Sequence, residues 1–194
     1  SPVARQGSVP AMKVAIGLGT SLARLDRGRT LHSLRSARRA LLELTLRRLD
    51  AIDGLELLRV SPWVTTPPMR GGTARGVFLN GVALFESQLL PVEVLDACVL
   101  LEASAGRRRG RWWGDRTLDL DVLLVEGVIL DTPRLKLPHP AIADRPFVLH
   151  PLLAVWPDAI DPRSDAPWSA LPSPRGPKAA PAGRVASRRP LGYL

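Results

Sequence analysis

The sequence predicts an α+β domain with a ferredoxin-like βαββαβ core. Three observations carry this. Residues 118–125 alternate, with Leu118, Leu120 and Val122 on one side and Asp119 and Asp121 on the other, which is the period of a strand. Residues 30–50 instead space their apolar side chains at helical intervals. Around them, further runs fall in the order strand, helix, strand, strand, helix, strand, the split βαβ pattern. Such a fold hosts many functions and decides none of them.

The elements follow one by one. Residues 1–11 are small and polar and read as a disordered leader, with Met12 a candidate for the natural start. Residues 12–18 form an apolar strand that runs into Gly17-Leu18-Gly19-Thr20-Ser21-Leu22, read as a turn. In the first helix Leu31, Leu34, Ala37, Leu41, Leu44 and Leu49 form one stripe, with Arg35, Arg38, Arg39, Glu43 and Arg47 between them. Gly54 ends that helix. Residues 55–66 read as one strand, and Pro67-Pro68-Met69-Arg70-Gly71-Gly72 as a loop. Residues 77–85 carry few charges and read as a strand. Pro91 suits the first turn of the second helix and Gly106 its end, with Val92, Leu95, Val99 and Glu102 on one face. Beyond the 118–125 strand and a Pro-punctuated loop, residues 143–155 hold a short helical turn. His32 is expected on a helix surface and His150 in the core.

Residues 162–194 contain seven Pro, three Gly and six Ala without apolar periodicity, so they read as a flexible tail dispensable for folding. Trp168 is the one side chain there suited to docking on the core. The folded domain is thus expected over 12–161. The 194 residues suit one domain, and 45% hydrophobic content suffices for a single core. Cys98 is the only cysteine, which excludes a disulfide framework or a Cys-rich zinc site within the chain. No apolar stretch approaches the roughly 18 residues that span a bilayer, and the N-terminus lacks a signal-peptide core. The expectation is a cytoplasmic monomer with no membrane partner.

The net charge is +9, which directs attention to nucleic acid. Residues 162–194 carry six Arg or Lys against one Asp, a balance of +5, leaving +4 for the other 161 residues. Over half of the excess thus sits in the expected tail, and no specific nucleic-acid partner is expected. An RNA-binding strand would need several aromatics on one sheet face, and the 77–85 strand offers Phe78 with Asn80 there.

The chemistry concentrates in Asp119-Leu120-Asp121. Two carboxylates at i and i+2 on a strand project from one face and repel each other unless a cation lies between them. Mg²⁺ commonly binds through one or two carboxylates plus substrate phosphates. Alone, such a pair is more often a solvated strand face. Here five arginines lead into it through Arg107-Arg108-Arg109-Gly110-Arg111-Trp112-Trp113-Gly114-Asp115-Arg116, and cations beside metal-binding carboxylates suit a polyphosphate. None of Lys13, Lys136 and Lys178 follows a Gly, so a Walker phosphate loop is excluded. Asn80 lies within an apolar strand, where its amide needs partners and suits the edge of a planar heterocycle. Pro138-His139-Pro140 holds a histidine stiffly in a loop.

Together these segments resemble the 6-hydroxymethyl-7,8-dihydropterin pyrophosphokinase family, over about residues 13–161. The resemblance rests on Gly-Leu-Gly-Thr-Ser-Leu at 17–22, Thr-Thr-Pro-Pro at 65–68 and Phe-Leu-Asn at 78–80. It continues through Glu102, Gly-Arg at 106–107, Trp-Gly-Asp-Arg-Thr-Leu-Asp-Leu-Asp at 113–121, Leu-Pro-His-Pro at 137–140 and Arg-Pro-Phe-Val-Leu at 145–149. It implies Mg²⁺-dependent transfer of pyrophosphate from ATP to the pterin hydroxymethyl group, with release of AMP. By resemblance, Asp119 and Asp121 hold two Mg²⁺ ions on the ATP phosphates, and Arg107 and Arg116 meet those phosphates. Thr66, Pro67, Pro68 and Met69 line the pterin pocket, Asn80 hydrogen-bonds the pterin, and Phe78 and Phe147 sandwich it. Glu102, Trp113, Arg134, His139 and Arg145 match nucleotide-side contacts. Asp115 in place of a usual Pro, Ser21 in place of Asn and Val99 in place of Gln depart from the family pattern. They support the alternative of a member that binds pterin or nucleotide with weak or no turnover.

Overall fold

The computed structural model describes residues 10–21, 31–67, 78–105, 118–172 and 180–181. The elements in chain order are β1 (Met12–Ser21), α1 (Leu31–Asp50), β2 (Leu55–Val60), β3 (Val64–Thr66), β4 (Phe78–Ser87), α2 (Pro91–Ser104) and β5 (Asp119–Val125). They continue as β6 (Leu130–Asp131), β7 (Lys136–Leu137), α3 (Ala141–Asp144), α4 (Pro146–Val155), β8 (Ile160–Asp161), β9 (Ala166–Pro167), a 3₁₀ turn (Trp168–Ala170) and β10 (Ala180–Pro181). The main sheet runs β10-β3-β4-β1-β5, with β2 also paired to β4, and every one of these pairs is antiparallel. The α+β class and the antiparallel core are as the sequence predicts. Among the described residues no helix is long and apolar enough to cross a membrane.

The sheet is buried on both faces, unequally. Val14, Ile16 and Leu18 of β1, Leu79, Ala83 and Phe85 of β4, and Leu120 and Val122 of β5 face α1 and α2 in one core. Ala15, Val82, Leu84, Leu123 and Leu124 face the other way, against α4, Trp156 and Trp168. This alternation follows from the two-residue side-chain period of a strand with both faces covered. The second cover stops short. At that end of the sheet Phe78, Asn80, Asp119 and Asp121 on this face are only half-buried.

Several expectations shift. The predicted turn at Gly17–Ser21 lies within β1, which pairs with β4 over its whole length. The predicted 55–66 strand is broken at Ser61-Pro62-Trp63, because Pro62 has no N–H to donate. Ser61 keeps the chain on β4 across the break, its N–H reaching Val82 O and its Oγ accepting the Val82 N–H, both at 2.9 Å. Trp63 fills the break, packed so closely on Gly81 that a Cβ there would lie 2.6 Å from its ring. The stripe of α1 is turned from the predicted one. Leu42, Leu46 and Leu49 are buried, whereas Ala37 and Leu44 are exposed. In α2 the buried positions are Val94, Cys98 and Glu102, with Leu95 packed beside them and Val92 and Val99 exposed. Residues 141–155 form two helices, and His150 is exposed rather than in the core.

The expected tail begins with ordered structure. Residues 160–167 form the β8–β9 hairpin, and Trp168 is 2% exposed in the core beneath α4. Arg163 grips Asp161 through two nitrogens (Nε to Oδ1 at 2.9 Å, Nη2 to Oδ2 at 2.7 Å) and lies over the Trp168 ring at 5.6 Å. Those hydrogen bonds hold the Asp161 carboxyl below its ordinary range. The indole supplies the burial that the Pro and Ala content around it lacks. Further on, β10 pairs with β3, Ala180 opposite Thr65 and Pro181 opposite Val64.

Candidate active site

Cross-strand register assembles the site. In antiparallel strands, residues directly opposite each other project to the same face. Val64 of β3 is opposite Asn80 of β4, Asn80 opposite Gly19 of β1, and Gly19 opposite Asp119 of β5. The next row toward the covered end runs Val82, Gly17, Asp121, and the next row outward runs Thr66, Phe78, Ser21. The candidate pterin residues and the candidate phosphate-side carboxylates therefore share one face, separated by β1.

Gly17 and Gly19 form the floor between them. A Cβ at Gly19 would lie 2.9 Å from Asn80 Oδ1 and 3.9 Å from Asp119 Cβ. The site is flat there because only a glycine lets the amide lie across the strand. Gly19→Ala is expected to displace Asn80 and weaken pterin binding while the fold is retained, measurable by calorimetric titration beside a circular dichroism spectrum.

Asn80 is itself held. Its Nδ2 donates to Thr66 Oγ1 at 2.8 Å, and Thr66 is 3% exposed. This bond fixes the position of the amide, with Oδ1 over Gly19. Pro67 follows and is exposed. Phe78 is half-buried on the same face. Phe147 is half-buried in the first turn of α4, the helix covering that face, with the Arg145 guanidinium 6.0 Å from its ring centroid.

A second group lies at the outer edge of β5. A cleft of about 300 Å³ is lined by Leu95, Asp121, Arg134, Lys136, His139 and Pro140, among others. The strand holds the histidine in place: the His139 N–H donates to Leu123 O at 2.7 Å. Its Nδ1 accepts the Ala141 N–H at 3.0 Å, so Nε2 carries the proton of the neutral ring. Arg134 pairs with Asp96 of α2 at 2.6 Å across an exposed surface, and Lys136 with Asp131 at 2.9 Å. Such exposed pairs contribute little to stability and exchange partners readily.

Glu102 lies elsewhere than on an open nucleotide face. It is 3% exposed on α2, and its Oε1 accepts the Leu120 N–H at 2.8 Å. Burial pushes the Cys98 thiol, one turn earlier on that helix, up to about 12, with the Asp121 charge adding to the rise. That thiol is not a nucleophile near neutral pH. Pro68, Met69, Arg107, Trp113 and Arg116 lie outside the described residues.

The structure thus brings Thr66, Phe78, Asn80, Asp119 and Asp121 onto one face, and Asp121, Arg134 and His139 around one cleft. Sequence reasoning missed the floor glycines as strand residues, Leu95 and Lys136 as cleft lining, and Thr66 as the partner of the Asn80 side chain. The i, i+2 spacing of Gly17 and Gly19, matching that of Asp119 and Asp121, was the available signal.

The donor set suits a hard cation. Asp119 and Asp121 offer only carboxylate oxygens, on a half-exposed strand face beside basic side chains. Among the described residues no group of three or more His, Cys, Asp or Glu converges. Among the described residues a cation here would have these two carboxylates as its ligands.

Residues 15–157 match the model of the 7,8-dihydro-6-hydroxymethylpterin-pyrophosphokinase (HPPK) family. A 2-amino-4-hydroxy-6-hydroxymethyldihydropteridine pyrophosphokinase of Pseudomonas aeruginosa is 44% identical over 113 residues, 57% of this chain and 69% of that protein. One of Methylorubrum extorquens is 38% identical over 121 residues, 62% of this chain and 76% of that protein. The solved structure of a Plasmodium falciparum HPPK-DHPS variant with pteroate superposes with a TM-score of 0.56 at 11% identity, over 83% of this chain and 42% of that one, and shows the fold alone. With three quarters of its length inside the family model, and with relatives named for the same enzyme, this chain belongs to the 7,8-dihydro-6-hydroxymethylpterin-pyrophosphokinase family.

Proposed function

We propose that this protein transfers the terminal pyrophosphate of ATP to the hydroxymethyl group of 6-hydroxymethyl-7,8-dihydropterin and releases AMP, a step in folate synthesis. The observation that supports the reading is the row Asn80, Gly19, Asp119, in which an amide suited to a heterocycle edge and a carboxylate suited to the phosphate side flank β1 on one face of the sheet.

In this reading the pterin lies against Gly19 with its polar edge on Asn80 and its faces toward Phe78 and Phe147. Thr66 anchors the Asn80 amide by a hydrogen bond, and Pro67, Pro68 and Met69 wall the pocket. The triphosphate extends over Asp119 and Asp121 toward the cleft at the edge of β5. Arg134 and His139 contact the nucleotide there, Arg145 contacts it from beside Phe147 at the start of α4, and Arg107, Trp113 and Arg116 also serve the nucleotide side. The pterin hydroxyl oxygen forms a bond to the β-phosphorus, the bond from that phosphorus to the α,β-bridging oxygen breaks, and the hydroxyl proton is lost. AMP departs with the bridging oxygen. Such transfer depends on positioning and on charge neutralisation more than on covalent help from the protein. Asp119 and Asp121 would hold Mg²⁺, two ions in our reading, which supplies positive charge to the phosphate oxygens. Arg107 and Arg116 add fixed positive charge as it develops.

The decisive assay is AMP release from ATP and the pterin alcohol with Mg²⁺. Production of AMP and pterin pyrophosphate in equal amounts is expected. Binding of both ligands without AMP would leave a member of the family that no longer turns over. A narrower expectation concerns the pocket. Phe78→Ala and Asn80→Ala should weaken pterin binding and leave ATP binding nearly unchanged. A stacked ring contributes about 0.5–1.5 kcal/mol beyond its burial, and an unpaired buried polar group costs roughly 1–3 kcal/mol. Equal loss for both ligands in titration calorimetry would place the pterin elsewhere.

A further inference from the structure

We infer that Glu102 is a positioning residue that holds β5, and with it the Asp119–Asp121 pair, in register for the cation. The inference rests on the function proposed above. β5 is an edge strand of the sheet, paired only with β1 among the described strands. In an antiparallel ladder alternate residues turn their N–H groups toward the neighbouring strand and the others away from it. Leu120 is opposite Leu18 and turns its N–H away from β1, where Glu102 Oε1 accepts it at 2.8 Å. Asp119 and Asp121, opposite Gly19 and Gly17, accordingly turn theirs toward β1. Three successive residues are therefore tied on alternate sides, and the middle tie comes from a side chain buried to 3% exposure.

The placement is economical for the chemistry. An edge strand presents unpaired backbone groups on its outer side; on β5 the His139 N–H takes the Leu123 carbonyl there, and Glu102 takes the Leu120 N–H. Two carboxylates that must jointly hold metal ions against one triphosphate tolerate little drift between them. A carboxylate accepting a backbone N–H makes a stronger bond than a neutral acceptor. Helix α2 delivers it from the opposite side of the sheet, where Val94 and Cys98 on the same buried face anchor the helix. Glu102 thus acts on the aspartates through the backbone rather than by touching the nucleotide.

The test uses the full chain and two substitutions. Glu102→Gln keeps an oxygen able to accept the Leu120 N–H, and Glu102→Ala removes it. The first readout is exchange of the Leu120 amide hydrogen in the ligand-free protein, followed by NMR. The second is Mg²⁺-dependent binding of α,β-methylene-ATP, with Asp119→Asn as control. Glu102→Ala is expected to speed Leu120 exchange and weaken Mg²⁺-dependent binding, each roughly tenfold or more, while binding without Mg²⁺ changes less. Glu102→Gln is expected to stay within about threefold of the native protein in both readouts. Where the alanine variant does not fold, the glutamine variant decides alone. Glu102→Gln losing Mg²⁺-dependent binding with native Leu120 exchange would overturn the inference, because the charge itself would then meet the nucleotide. Native binding by a folded Glu102→Ala would overturn it as well. Loss of nothing by Asp119→Asn would instead reject the proposed cation site, leaving the Leu120 exchange result to stand separately.

Discussion

Asp119→Asn and Asp121→Asn are each expected to lower the rate of AMP formation by two to three orders of magnitude or more. Asparagine is close to aspartate in shape, so both variants should keep the β1–β5 ladder and the packing of Leu118, Leu120 and Val122 beneath it. What is removed is the negative charge that would hold a cation against the phosphates. Interactions that strengthen as charge shifts between the attacking and leaving oxygens act on the transition state more than on bound substrate. Removing one electrostatic group of this kind costs about 2.7–4 kcal/mol, a factor of about 10²–10³ in rate. The double variant should be far from additive, since both carboxylates would act as one metal clamp. Single-turnover AMP release at saturating Mg²⁺, with circular dichroism for the fold, measures this. Near-native rates in both single variants would reduce the pair to a solvated strand face.

Trp168→Ala carries the largest expected effect on stability. The indole is 2% exposed in the core formed by Leu149, Leu152, Val155 and Trp156. Truncating a buried tryptophan typically costs 3–5 kcal/mol, the lost transfer free energy plus the cavity left behind. Thermal unfolding should show a clear fall in Tm, and ending the chain at residue 157 should be at least as damaging. Trp168→Phe should be milder. The Trp168 Nε1 has no hydrogen-bond partner among the described residues, so phenylalanine removes an unpaired buried donor along with some volume. A Tm unchanged by Trp168→Ala would mean that the hairpin and its tryptophan are not part of the core in solution.

The legibility of the fold varied with the kind of signal. β5 was plain because over Asp119–Val122 half-buried carboxylates alternate with buried apolar side chains, so the two-residue period survives in the sequence. The α1 stripe was misplaced because its leucines are dense enough to satisfy more than one helical face, and only the neighbouring strands select Leu42, Leu46 and Leu49. The fourteen-residue α2 shows the same ambiguity, with Leu100 left 70% exposed while Glu102 is buried. Proline and alanine content around Trp168 reads as a tail because composition averages over a window, whereas one indole can dock a segment. In the candidate site, Asp119, Asp121 and Asn80 stood out as polar groups where apolar ones were expected. The glycines at 17 and 19 stood out only as a turn able to bring backbone close to a phosphate, since the same residues mark turns far more often than a floor. Glu102 was legible as a residue of the resemblance, but its partner, a backbone N–H eighteen positions away, leaves no trace in sequence spacing.

The pairing of β10 with β3 has a consequence for the behaviour of the chain in solution. β3 is only three residues long, and without Ala180–Pro181 it would be the border of the main sheet on that side. A bare border offers its amides and carbonyls to any other strand, including the same border of a second molecule. Pro181 cannot donate a hydrogen bond, so the added strand is a poor template for further growth. On this geometry Ala180–Pro181 is expected to act as a stopper against self-association. A chain ended at residue 172 would keep Trp168 and lose the stopper, and light scattering should find it more prone to associate, at a Tm close to that of the intact protein.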